Sequence, residues 1–298
     1  MESNNNPILI PPQEDLTEIQ KPTSLLIAQF FLFPLIIIAF GVGIFLLFGY
    51  LTYDQKSPEA YLTEIRQNGG YSPFDTRRWQ AALELSKVIT SKKDELRLTN
   101  FGTELISVYE SSKTDDPRIR RFLAISLGHF GDPAAVPALI NGLADLDTET
   151  QIWTLWALGT IGDRTAAEPI VKMLHNDEAA IRKMAAYVLG AIKEPATIRE
   201  LQVALNDSAT DVRWNAAMSL AQLKDPAGGD LLIQLTDRNY LSQFSEMSEE
   251  EKNNAIVNAV KCLSLIKLQD ARDEITLLSK SDPSLQVRDA ALEALATY

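Results

Sequence analysis

From Asp116 to Asp237 apolar residues recur at spacings of three and four, the period of amphipathic helices, and acidic residues interrupt them at regular intervals. The stretch "IRKMAAYVLGAI" predicts one such helix, and "ATIRELQVAL" a second after a turn. The pattern repeats. Leu127, Leu158, Leu189 and Leu220 follow one another at intervals of 31, each followed by a small residue: Gly128, Gly159, Gly190 and Ala221. Asp132, Asp163, Glu194 and Asp225 keep the same interval, and Pro follows all but Asp163. A fixed period of this length predicts a solenoid, because a single helical hairpin cannot bury its apolar face alone. The acidic residues are placed to accept hydrogen bonds from free amides at helix starts, and the Pro after them occupies a position that requires no donor. Asp116 before Pro117 and Asp282 before Pro283 carry the same signal for first helices.

A second pattern precedes the repeats. Leu25 to Leu51 is apolar with Gln29 as its one strongly polar residue and no charge. A run of ~20 such residues is long enough to span a bilayer, and the segment lacks the basic start and Ala-x-Ala site of a signal peptide. The expectation is a retained single-pass anchor, with the repeat domain on the cytoplasmic side from the Lys and Arg that follow. "SPEAYLTEIRQNGG" then reads as a short helix in a stalk, capped by Ser57, with Pro58 at its first position and Gly69 and Gly70 as the stop. The expected organisation is a polar tail (1–23), a transmembrane helix (24–51), a linker with a short helix (52–75) and an all-α solenoid (76–298). Leu220 and Leu263 are 43 apart, which marks an insertion at about 238–252.

The first helices "IRKMAAYVLG", "VRWNAAMSLA", "IRRFLAISLG" and "VRDAALEALA" resemble HEAT-like repeats of the phycobilisome-lyase type, which read roughly V/I-R-x-x-A-A-x-x-L-G. "RRWQAALELSKVI" resembles a degenerate first unit. The resemblance implies an α-solenoid in which the Arg after V/I braces neighbouring units. That residue is Arg120, Arg182, Arg213 and Arg288, but Gln151 replaces it in one unit.

The resemblance implies little about chemistry, since such scaffolds host unrelated activities. Di-iron hydroxylases of this fold need His-Glu pairs, whereas His129 precedes Phe130 and His175 precedes Asn176. Glycosylase-like versions need a basic groove, whereas Pro137, Glu168, Arg199 and Asp230 at aligned second-helix positions are mixed in sign, and the formal net charge is −12. Nucleic acid is thus an unfavourable partner. Cys262 aligns with Ser126, Ala157, Val188 and Ser219 and is expected in the core. Neither a P-loop, GxSxG, CxxC nor HExxH occurs, and no cofactor, metal or small-molecule substrate is indicated. Ser248 and Glu251 have capping-box spacing.

The expected function is a membrane-anchored scaffold or adaptor that binds a membrane-associated protein without catalysis. An accessory subunit of a membrane enzyme or transport complex is the alternative, and a bilin-lyase-like enzyme the second. Two candidate partner-binding regions stand out. Ile152, Trp156, Tyr187, Trp214 and Met218 form columns on the first helices, and Tyr240, Leu241 and Phe244 make the insertion unusually apolar.

Overall fold

The computed structural model describes residues 32–52, 56–66 and 76–298, in two compact units, Met1–Lys56 and Ser57–Tyr298. Within the first unit, helix α1 (Phe33–Thr52) forms from an unbroken apolar run. Pro34 lies in its first turn, where backbone amides have no partner within the helix. The expected span is corrected here. Residues 24–31 lie outside those described, and among the described residues no helix is long and apolar enough to cross a membrane. The large apolar side chains described between Leu32 and Leu47 are exposed. The single-pass placement, the membrane contact through Leu25 to Leu51 and the cytoplasmic assignment therefore do not stand.

Among the described residues of the second unit every regular element is a helix. It opens with α2 (Pro58–Arg66), where the Ser57 hydroxyl accepts from the Ala60 amide at 3.3 Å. This helix is no free stalk: Tyr61, Leu62 and Ile65 are buried in the same core as the helices that follow. An apolar stripe at these spacings is driven out of water wherever a neighbour offers a surface. The expected stop at Gly69 and Gly70 lies outside the described residues. Next come α3 (Arg77–Leu96) and α4 (Phe101–Ser111), then four helical pairs: α5 (Pro117–Phe130) with α6 (Val136–Gly142), α7 (Thr148–Ile161) with α8 (Ala167–Met173), α9 (Ala179–Ile192) with α10 (Ile198–Ala204), and α11 (Thr210–Gln222) with α12 (Gly229–Gln234). The insertion carries the single turn α13 (Arg238–Leu241); α14 (Glu249–Ile266), α15 (Arg272–Ser281) and α16 (Leu285–Leu295) complete the unit.

First helices stack on first helices, and the repeated residues sit at the contact. Leu127, Leu158, Leu189 and Leu220 are at most 1% exposed. Two of the glycines after these leucines are required by the next helix: a Cβ on Gly128 would lie 2.9 Å from Ala157 Cα, and one on Gly190 would lie 2.8 Å from Ser219 Cα. The aligned column Ser126, Ala157, Val188, Ser219 and Cys262 is buried. Burial pushes the Cys262 thiol up to about 11, so at neutral pH it stays protonated and inert.

The acidic punctuation acts as expected, but on a short 3₁₀ turn that starts each second helix. Asp132, Asp163, Glu194 and Asp225 accept from the amides of Ala134, Thr165, Ala196 and Ala227. Ser248 and Glu251 close a capping box on α14. First helices end in left-handed backbone at Gly131 and Gly162, then at Lys193, Lys224 and Lys267, with φ between 50° and 75°.

Candidate functional site

The stacked first helices present a row of large side chains. Phe122, Ile125 and His129 lie on α5, Ile152, Trp153 and Trp156 on α7, Met184 and Tyr187 on α9, and Trp214 and Met218 on α11. Helical periodicity puts residues three and four apart on one face, and the repeat brings those faces side by side. Trp156 is the hub: His129 meets it edge-on at 5.1 Å and Trp153 at 5.9 Å between ring centroids. Burial, with a smaller contribution from Lys93, holds the His129 imidazole below its ordinary pKa, which favours the neutral ring against the indole.

The nominated residues divide by exposure. Tyr187 is 54% exposed. Ile152, Trp156 and Met218 are half-buried and pack partly on the core. Trp214 is only 8% exposed because the insertion folds over it: Phe244 lies 5.0 Å and Tyr240 6.4 Å from its ring, and its indole N–H donates to Tyr240 Oη at 3.4 Å. Leu241 is wholly buried beneath. Leu241 and Trp214 are therefore core residues, not open contacts, and the two regions expected to compete as binding sites close on each other. Sequence reasoning missed Trp153 and His129. Both stand on the same face as Trp156, at i−3 and one repeat back, and Trp153 is half-buried without packing into the core.

Surface hollows lie elsewhere among the described residues. A cleft of about 290 Å³ is lined by Tyr109, Lys113, Arg120, Asn141, Asp145 and Leu146, but Arg120 and Asp145 are bound to each other at 2.6 Å. A groove of about 310 Å³ runs between the starts of α9 and α11 beside Phe244, where Lys183 and Asp211 pair at 3.1 Å. Among the described residues no group of three or more His, Cys, Asp or Glu could hold a metal ion.

The family profile for HEAT repeats matches residues 104–187 and 169–242. No curated protein matches the chain. Among solved structures, the complex of CpcE and CpcF of phycocyanin lyase from Nostoc sp. PCC7120 is similar at 22% identity with a TM-score of 0.53, over 82% of this chain and 88% of that one. A designed armadillo repeat protein in complex with the peptide (KR)4 is similar at 14% identity with a TM-score of 0.44, over 81% and 99%. The lyase likeness speaks for the fold alone. Among its described residues the unit from Ser57 onward is an all-helical solenoid, and its central stretch, residues 104–242, is built of HEAT-like repeats.

Proposed function

We propose that this chain is a scaffold or adaptor that holds a protein partner on its first-helix face and performs no chemistry of its own. The observation that carries the reading is the half-open aromatic row around Trp156, with Trp153 outside the core and Tyr187 exposed. Aromatic anchors that are part-sunk in a rigid surface supply much contact area at little entropic cost. The insertion supports the reading from within the molecule. Trp214 and Met218 on α11 stand two repeats beyond Ile152 and Trp156, and Tyr240, Phe244 and Met247 pack in their cluster. A partner that brings a short turn with two or three apolar side chains would cover Ile152, Trp156 and Tyr187 in the same manner.

The test is photo-crosslinking from the full chain with the reactive group at position 187, and a control at the exposed Val203 on α10. One defined protein joined from 187 and absent from 203 is expected, with binding weakened by Trp153→Ala at unchanged melting temperature. Joining from 203 instead, or full binding by the Trp153 variant, rejects the face. One other reading is a bilin-directed enzyme, after the phycocyanin lyase whose fold is similar. On the scaffold reading, a free bilin added to the full chain leaves its visible absorption unchanged.

A further inference from the structure

The repeat arginine has two arms. Arg120 reaches back to the Asp115 carbonyl and forward to Asp145 at 2.6 and 2.9 Å, which ties α5 to the loop before α7. Arg182 reaches back to the carbonyls of Asn176 and Asp177 and forward to Asp207 at 2.7 and 2.8 Å, which ties α9 to the loop before α11. The next residue adds a second tie in both places, Arg121 to Asp147 at 2.7 Å and Lys183 to Asp211 at 3.1 Å.

Between α7 and α9 both ties are missing. Gln151 keeps the backward arm, donating to the Leu143 carbonyl at 2.9 Å, and has no forward one. Asn176 stands where Asp145 and Asp207 stand in the neighbouring loops; like them it accepts from the amide two residues on, Glu178 at 2.9 Å, but it offers a neutral amide in place of a two-oxygen carboxylate. Ile152 replaces Arg121 and Lys183. The side-chain pairs that do cross, Arg164 with Glu194 at 3.9 Å and the His175 ring with Glu200 at 4.0 Å, are long, and Arg164 and His175 are well exposed. Arg213 also lacks a forward carboxylate, but there the insertion spans the gap through Trp214, Tyr240 and Phe244.

We infer that the α7–α9 junction is the bending joint of the solenoid. A bidentate Arg–carboxylate pair fixes both distance and angle, whereas apolar contact is non-directional and permits small sliding at little cost. Deformation therefore collects where packing such as Gly159 on Val188 acts without a bidentate Arg–carboxylate tie. Trp156 and Tyr187 stand on opposite sides of this joint, so bending changes the spacing of the docking face; that consequence alone rests on the docking reading.

The experiment is amide hydrogen exchange on the full chain without any partner, so failure of the docking reading leaves its outcome intact. Ile181 and Arg182 at the start of α9 bond to the Glu178 carbonyl as Val212 and Arg213 at the start of α11 bond to that of Ala209. After correction for intrinsic rates, the α9 pair should exchange about tenfold faster. Q151R/N176D should remove most of that difference. Equal rates in the natural chain overturn the joint, as does a difference that persists in a folded double variant. Should the double variant not fold, the comparison within the natural chain decides.

Discussion

The regular run from α5 to α10 and the interrupted stretch from α11 to α14 use equivalent first-helix positions in opposite ways. On α7, Ile152 and Trp156 remain half-open; on α11, Met218 is half-buried too, but Trp214 lies beneath the insertion. Identical register thus leads to different exposure, because a segment outside the repeat decides what is covered. The insertion also compensates at a place where Arg213 has no forward carboxylate, whereas nothing compensates for Gln151. Regularity and rigidity are therefore separate properties of this array.

The sharpest way to break the comparison is through the two tryptophans. Trp214→Ala should cost about 3–5 kcal/mol, as expected for a buried Trp, and Trp156→Ala clearly less. Equal losses in urea titrations would erase the distinction between covered and open. The covering segment gives the next effect: Leu241→Ala should lose about 2–5 kcal/mol, matching Leu189→Ala in the regular run. A loss below ~0.5 kcal/mol would return Leu241 to the surface and reopen the insertion as a separate site.

Removing a tie between units sharpens the contrast further. Arg182→Gln should cost about 1–3 kcal/mol, since it breaks a half-buried charge-assisted pair, whereas Gln151→Ala should cost less than about 1. These pairs also set the response to acid. Hydrogen bonds from Arg121 and Arg182 hold Asp147 and Asp207 below the ordinary carboxylate value of 3.8. A depressed pKa means that the unfolded chain takes up protons first. The contribution is then complete above about pH 4 and disappears as pH falls through the folded values. Asp207→Asn should flatten the decline of stability below pH 4; an unchanged acid limb would show that the pair is not formed in solution. The smallest effect lies at the helix ends. Lys193→Gly places a residue at ease with positive φ where Gly131 and Gly162 already stand, and should stabilise by about 0.5–1 kcal/mol. A lower melting temperature would show that the Lys side chain contributes more than its backbone costs.

Much of the fold was legible because repetition multiplies a weak signal. Any one Leu-Gly is uninformative, but four at a period of 31 identify the stacking contact, and their burial follows. The left-handed helix ends were not legible: Gly131 and Gly162 suggest them, but Lys193, Lys224 and Lys267 say nothing of φ. Half of the brace was legible, since Arg120 and Arg182 announce themselves; their partners lie 25 residues on, in loops with no motif. Trp156 and Tyr187 are visible as a column at the 31-residue interval, whereas Trp153 lies three residues away from it on the same face. That Leu241 and Trp214 are covered is not legible, since apolar residues on a helix face or in a loop look alike whether they await a partner or already have one.

By itself the sequence determined the helical pairs, their period, the buried leucines, the caps and the place of the insertion, all properties of local spacing and hydrogen-bonding capacity. Tertiary structure decided the rest. It drew α2 into the core, closed the insertion over Trp214, paired Arg120 and Arg182 with distant carboxylates and left Gln151 without one. The physical reason is reach: periodicity reports which face a residue occupies, but coverage and pairing depend on what the folded chain brings against that face from elsewhere.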